Sequence, residues 1–280
     1  MKNIAQAFQN ADAFSGAELE KLQNILQLMA GHPDFKAYKE TSYQVLELTP
    51  DSHVADVACG LGFDLPHLRD RVPKGSVTGF DLSTKFLASA MARIEAASGS
   101  GQSFRFQKSD IKALAAPPES FDAARVDRSL QHIPDPDAAI DEMLRIIKPG
   151  GIISAAEPDW RSLAVVSSHL DIAARILTMY DREILNPHIG GELKGLIGAR
   201  ANLTHHSVHP LRLSSRAEAC QICILDEMSA RSVEAGLITR QEHTAFWRDL
   251  EERDAAGGFE ISLNIHLVAG RKPGPCGSLN

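Results

Sequence analysis

His53-Val-Ala-Asp-Val-Ala-Cys-Gly-Leu-Gly-Phe-Asp64 is the stretch around which the 280-residue chain is organised. Val54, Ala55, Val57 and Ala58 make an apolar run the length of one buried strand in a parallel sheet. Asp56 stands near its end, and Gly60 and Gly62 follow in a tight turn. From Asp64 the spacing becomes helical, through Leu65, Leu68 and Val72. Strand, glycine turn and helix open an α/β nucleotide-binding unit, where a Cβ would block a ligand lying against the backbone.

Two details choose the ligand. A dinucleotide turn would carry a third glycine at position 65, which is Leu65. Pyrophosphate also wants backbone N–H groups without a nearby anion, and Asp56 is an anion. An amino-acid end bearing an ammonium and a sulfonium would welcome that carboxylate. These residues resemble the first motif, D-x-G-x-G-x-G, of the class I S-adenosylmethionine-dependent methyltransferases. The chain reads Asp56-Val57-Ala58-Cys59-Gly60-Leu61-Gly62, with Ala58 in place of the first glycine. That departure is mild, because alanine still permits close approach if φ is negative there.

The following segments fit the same scheme. Ser76–Asp81 reads as a second strand ending in an acid that can accept from both ribose hydroxyls. Phe104–Ser109 alternates as a third strand with Asp110-Ile111 at its end, and 121–126 is a fourth. The run Asp127-Arg-Ser-Leu-Gln-His-Ile-Pro-Asp-Pro136 then lies at a strand's carboxyl end, where open α/β sheets hold ligands. A helix over 138–147 leads to a Lys148-Pro-Gly-Gly151 turn and a fifth strand over 152–156. Beyond it come helices at 167–185 and 190–201, a sixth strand over 203–213, helices within 215–253 and a last strand over 259–269.

The resemblance implies a doubly wound, mostly parallel seven-stranded Rossmann-like sheet with an antiparallel last strand. It implies S-adenosyl-L-methionine as cofactor, held at Asp56, Ala58, Gly60, Gly62, Asp81, Leu82, Asp110, Ile111, Asp127 and Arg128. Arg145-Ile-Ile-Lys-Pro-Gly-Gly151 looks like a mark of the same family, and the Asp127–Pro136 run, Glu157-Pro-Asp-Trp160, Asn186-Pro-His-Ile-Gly190 and Val268-Ala-Gly-Arg-Lys-Pro273 look like one bacterial small-molecule branch of it. Its substrates are diverse, so the acceptor stays open, as does methylation at O, N or C. Residues 1–48 carry two helices, at 17–30 and about 34–48, divided by His32-Pro33. They form a lid over the cofactor or an ordinary packing pair. A methyltransferase domain over 49–273, with substrate-side helical insertions at about 158–202 and 214–255, and a disordered 274–280 tail complete the expectation.

Composition narrows the class. A formal charge of −7 speaks against a nucleic-acid surface, and no apolar run reaches a membrane span. Four cysteines at unrelated spacings, and an N-terminus without a signal-peptide stretch, point to a reducing cytoplasm. Nothing sets an oligomeric state; the expected partner is a small-molecule acceptor.

Several residues carry rival readings. His132 serves as a general base, packs on the cofactor or caps the next helix. His205 and His209 share a strand face that His206 leaves, half a zinc site at most, so no metal is expected. Cys220 and Cys223 lie in a helical stretch and read as packing, not redox chemistry. Glu157, Asp159 and Trp160 are expected to face Arg182, Asn186 and His188 across the acceptor cavity. In the rival reading Trp160 is core and Arg182 pairs with Asp159 or Asp181. Two other functions stand beside methyl transfer: a non-catalytic cofactor-fold binder, and a nicotinamide oxidoreductase, against which Leu65 and Asp56 speak.

Overall fold

The computed structural model describes residues 11–13, 15–98 and 104–274. Its strands are β1 (His53–Val57), β2 (Ser76–Asp81), β3 (Arg105–Lys108), β4 (Phe121–Asp127), β5 (Ile147–Val165), β6 (Asn202–Leu213) and β7 (Ile261–Arg271). Among the described residues they form one seven-stranded sheet in the order β3-β2-β1-β4-β5-β7-β6. The pairs from β3 through β5 are parallel. The last strand, β7, is antiparallel to both β5 and β6, between which it lies.

Helices cover both faces: α1 (Gly16–Gly31), α2 (Pro33–Gln44), α3 (Leu65–Arg71), α4 (Thr84–Ser98), α5 (Pro136–Ile146), α6 (Leu170–Glu183), α7 (Ile189–Gly198), α8 (Arg216–Ile222), α9 (Leu225–Glu234) and α10 (Arg240–Ala255). Local chemistry sets their ends. Asp135 accepts from the Ala138 N–H with Pro136 opening α5, and His32 accepts from the Asp34 N–H with Pro33 opening α2. In α5, Ala139, Ile140, Met143 and Ile146 recur at helical spacing and are buried against β4 and β5. Ile140, Met143 and Ile146 each contribute about 1.5–3 kcal/mol of burial. A second core joins Phe35 and Tyr38 of α2 to Ile176, Met228, Phe246 and Leu267.

Two expectations are corrected. The Lys148–Gly151 turn belongs to β5, which runs on to Val165 rather than stopping at 156. The register of β4 against β5 shifts between Phe121 and Ala123, so Pro-Gly-Gly forms a bulge with Gly150 at φ +81°. The segment just after β7 takes up its backbone groups: the Gly150 N–H donates to Lys272 O and the Lys272 N–H to Gly151 O. A second shift, between Asp159 and Ala164, re-aims the segment that carries Trp160. The second helix ends at Gln44 rather than 48. The expected tail beyond residue 274 lies outside the described residues.

Candidate active site

The carboxyl ends of β1, β2 and β4 meet at a turn of unusual backbone. Ala58, Gly60 and Gly62 all lie in the left-handed region, at φ +53°, +54° and +65°. The condition on which Ala58 would be a mild replacement for glycine, a negative φ, is therefore not met. The Cys59 N–H donates to Phe80 O at 2.9 Å and the Gly60 N–H to Asp81 Oδ2 at 2.8 Å. Those bonds tie the turn to β2 and impose the reversal on residue 58. The two glycines differ in use. A Cβ on Gly60 would meet no protein atom within 4 Å, so that position faces open cavity. A Cβ on Gly62 would lie 2.9 Å from Leu65 Cδ1, so that glycine serves the packing of α3. Cys59 needs the missing side chain of Gly79, where a Cβ would come 2.8 Å from its Sγ. Burial pushes its thiol up, which keeps it un-nucleophilic.

A cavity of about 1030 Å³ extends from this turn. Ala58 and Gly60 of the turn, Asp81 and Leu82 after β2, Asp110 and Ile111 after β3, and Asp127 and Arg128 at β4 line it. Asp81 is aimed by its neighbours, Oδ1 accepting from the Ser83 N–H and Oδ2 from Gly60, both at 2.8 Å. Each oxygen keeps a further lone pair for a diol, and burial raises the carboxyl. The cavity continues past β5 and β7, where Met29, Phe35, Trp160, Ile184, Leu211 and Ile265 make its wall apolar. Gln131 and His132 add polar atoms there. Burial lowers His132 to about 3, so its imidazole is neutral at neutral pH.

Asp56 also reaches the cavity, but its carboxylate is engaged from behind. Arg125, in the middle of β4 and 1% exposed, donates from Nη1 to Asp56 Oδ1 and Asp64 Oδ2, and from Nη2 to Asp127 Oδ2, each at 2.9 Å. Lys39 of α2 lies 2.6 Å from Asp64 and 3.1 Å from Asp127. Tyr43 OH donates to Asp64, Tyr38 OH to Asp127, and Arg128 Nε to Asp127. Burial works against the charged form of Asp64 and Asp127, yet Lys39 and the arginines outweigh it and hold both carboxyls below their usual range. Burial dominates at Asp56 and raises it. Sequence reasoning missed Arg125 and Lys39. The signal for Arg125 was an arginine inside the apolar run 121–126, since a charge buried on a central strand needs partners. Lys39 on an amphipathic helix offered no such signal.

Of the residues expected on the acceptor side, the structure places Trp160 in the cavity wall and the other five outside it. Trp160 stacks on Tyr180, with centroids 5.0 Å apart, and donates from Nε1 to Gln131 Oε1 at 2.9 Å. Glu157 is 0% exposed and accepts from the Ser129, Leu130 and Gln131 N–H groups. Burial pushes its carboxyl up to about 8, against the pull of those donors. Asp159 pairs with Arg161, and His188 sits 3.8 Å from Asp159 and 3.6 Å from Asp181. Asn186 binds loop carbonyls, and Arg182 is exposed on α6. The two stretches do meet, but directly. The Trp160 N–H donates to Pro187 O, and a Cβ on Gly190 would lie 2.6 Å from Glu157 O. Contact that close between α7 and β5 leaves no room for a ligand between them.

The histidines of β6 form a polar row, with Ser207 Oγ 2.7 Å from both His205 Nε2 and His209 Nε2. Among the described residues no three His, Cys, Asp or Glu side chains cluster as a metal site. None of the described helices is long and apolar enough to cross a membrane.

A family model for a methyltransferase domain matches residues 54–151, the span from β1 into β5. An uncharacterised 37.1 kDa transposon protein of Streptomyces fradiae is 31% identical over 83% of this chain, which spans 66% of that protein's length. A ubiquinone biosynthesis O-methyltransferase of Paracidovorax citrulli is 27% identical over 67% of this chain and 69% of its own. The crystal structure of a Bacillus halodurans protein described as a methyltransferase shares the fold, with a TM-score of 0.59 at 19% identity, covering 84% of this chain and 98% of that one. Together with the glycine turn and the acid that ends β2, these matches show that the chain belongs to the class I S-adenosylmethionine-dependent methyltransferases.

Proposed function

We propose that this protein transfers the methyl group of S-adenosylmethionine to a small acceptor whose body is largely apolar. The observation that carries the reading is the continuity of the cavity. It begins at the open face of Gly60 and the carboxylate of Asp81 and ends among Trp160, Ile184, Leu211 and Ile265. A non-catalytic binder would have filled that second half with side chains, and here it is open. The cofactor fits what is present: a turn without a blocking Cβ, a diol-ready carboxylate and an acid after β3.

When bound, the cofactor supplies a methyl made electrophilic by a sulfonium. The chain's own task is to hold an acceptor in line, an effect on the order of 7–11 kcal/mol when alignment is good. Asp81 holds the ribose, and Asp110 with Ile111 borders the adenine. Asp127 and Arg128 border the amino-acid end, Asp127 through its charge because both its oxygens already accept from protein donors, and Asp56 offers the oxygen that Arg125 leaves. His132, as a neutral imidazole, hydrogen-bonds and orients the acceptor's nucleophilic atom. The α1 helix, whose Leu22, Leu26 and Met29 line the cavity, acts as the lid over it. The helices of the 158–202 and 214–255 segments wall the acceptor. Free thiols at Cys59, Cys220 and Cys223 support a reducing, cytoplasmic setting.

A quinol is one apolar-bodied acceptor, in keeping with the name of the Paracidovorax relative. The test is transfer of isotope-labelled methyl from the cofactor to a panel of quinols, alkylated phenols, terpenoid acids and polar amines. Labelling of the apolar-bodied members is expected. Labelling of only the polar amines would overturn the reading.

A further inference from the structure

The loop after β4 lines the cavity with Arg128, Ser129, Gln131, His132, Ile133 and Pro134. Arg128 sits at φ +55°, a conformation that a non-glycine residue keeps only where its surroundings over-determine it. The backbone accounting shows what does so. The Arg128 N–H donates to Ala156 O at 2.7 Å. The next three N–H groups all go to Glu157: Ser129 at 2.7 Å, Leu130 at 2.6 Å and Gln131 at 3.4 Å. The carbonyls are held from the other side. Asn186 Nδ2 donates to Leu130 O at 2.8 Å and to Ile133 O at 2.6 Å, and the Asn186 N–H donates to Gln131 O at 3.0 Å. Gln131 is then locked through its side chain, Oε1 accepting from Trp160 Nε1 and Nε2 donating to Arg128 O.

We infer that Glu157 and Asn186 are positioning residues for methyl transfer, a carboxylate and an amide that clamp residues 128–133 between β5 and the α6–α7 connection. Neither reaches the cavity, yet both grip the segment whose side chains do. The division of labour follows from chemistry. The two oxygens of the Glu157 carboxyl group accept from three converging N–H groups, whereas a primary amide has two N–H donors and matches two carbonyls. Tryptophan 160 belongs to the same assembly, because its indole closes the hydrogen-bond chain at Gln131 and also forms cavity wall. The inference rests on the cofactor occupying this cavity.

The experiment uses the full chain with Asn186→Asp and Glu157→Gln, and Asp159→Asn as control, since Asp159 pairs with Arg161 away from the loop. Asn186→Asp keeps the shape but sets oxygens against two carbonyls. Glu157→Gln turns an amide toward the Gln131 N–H. Calorimetric titration with S-adenosylhomocysteine is run well below every variant's Tm. The fluorine spectrum of 5-fluorotryptophan protein resolves both tryptophans, with Trp247 on α10 as internal reference. Both loop variants are expected to bind about fivefold or more weakly and to shift or broaden the Trp160 signal while that of Trp247 stays. The control should match the wild type. Folded variants with affinity within about twofold and an unmoved Trp160 signal would reduce the pair to a stabilising role and overturn the inference. If Glu157→Gln does not fold, Asn186→Asp alone decides. Failure of the wild type to bind is a distinct result, and it would remove the cofactor assignment together with the inference built on it.

Discussion

Replacing Arg125 by methionine tests the charge cluster behind the glycine turn. The side chain is 1% exposed, and its three 2.9 Å bonds go to Asp56, Asp64 and Asp127, so water cannot replace it. Arg125→Met preserves length and apolar contact but leaves three carboxylates facing Lys39 and Arg128 alone. Removing one partner of a buried pair costs about 3–5 kcal/mol, against a total stability of roughly 5–15 kcal/mol. The loss should depend on pH. Without the guanidinium the folded-state pKa of Asp56 rises further above its unfolded value and those of Asp64 and Asp127 are less depressed, so the variant's native state takes up protons that the wild type does not. The deficit is then smallest in mild acid and grows as pH rises. Urea unfolding followed by far-UV circular dichroism, at about pH 5 and about pH 8, reads both quantities. Arg71→Met serves as reference, because its pair with Glu40 is largely exposed and should cost about 1 kcal/mol or less. A deficit below about 1 kcal/mol for Arg125→Met, or one independent of pH, would refute the cluster's role.

Three further outcomes follow from the geometry. Ala58→Gly removes left-handed strain at φ +53° and should stabilise the protein by about 1 kcal/mol in urea melts, whereas a destabilised variant would show that the Cβ is needed there. Asp81→Asn should weaken S-adenosylhomocysteine binding by about 1.5–3 kcal/mol in calorimetry, and unchanged affinity would remove Asp81 from the ribose site. His132 is lowered to about 3 in the fold, so its stabilising contribution is present above about pH 6.5 and is lost as pH falls toward 3. Between about pH 7.5 and about pH 5.5 the wild type should therefore lose about 1.4 kcal/mol more than His132→Gln, and parallel stability curves would contradict a buried, neutral imidazole.

The chain by itself determined the elements and the cofactor half of the site. Periodicity marked the strands and helices because side chains reveal which face each residue shows, and such faces repeat over a few positions. The glycine turn and Asp81 were legible for the same reason: the turn, and the acid at the next strand's end, are joined by one βαβ unit. What depended on distant partners was not legible. The conformation of Ala58 is imposed by Phe80 O and Asp81 through the bonds made by Cys59 and Gly60. The turn expected at Lys148–Gly151 became strand because Lys272, far along the chain, accepts and donates there. Asp56 was read as a free anion, and only the approach of β4 set Arg125 against it. Glu157 and Asn186 stood in the right neighbourhood for substrate contact, but the packing of α7 on β5 at Gly190 closed that space and turned both side chains to the loop. A residue's type limits what it can bind. Which partner it finds was decided by tertiary structure, because buried charges and backbone groups take whichever complement the packing brings within about 3 Å.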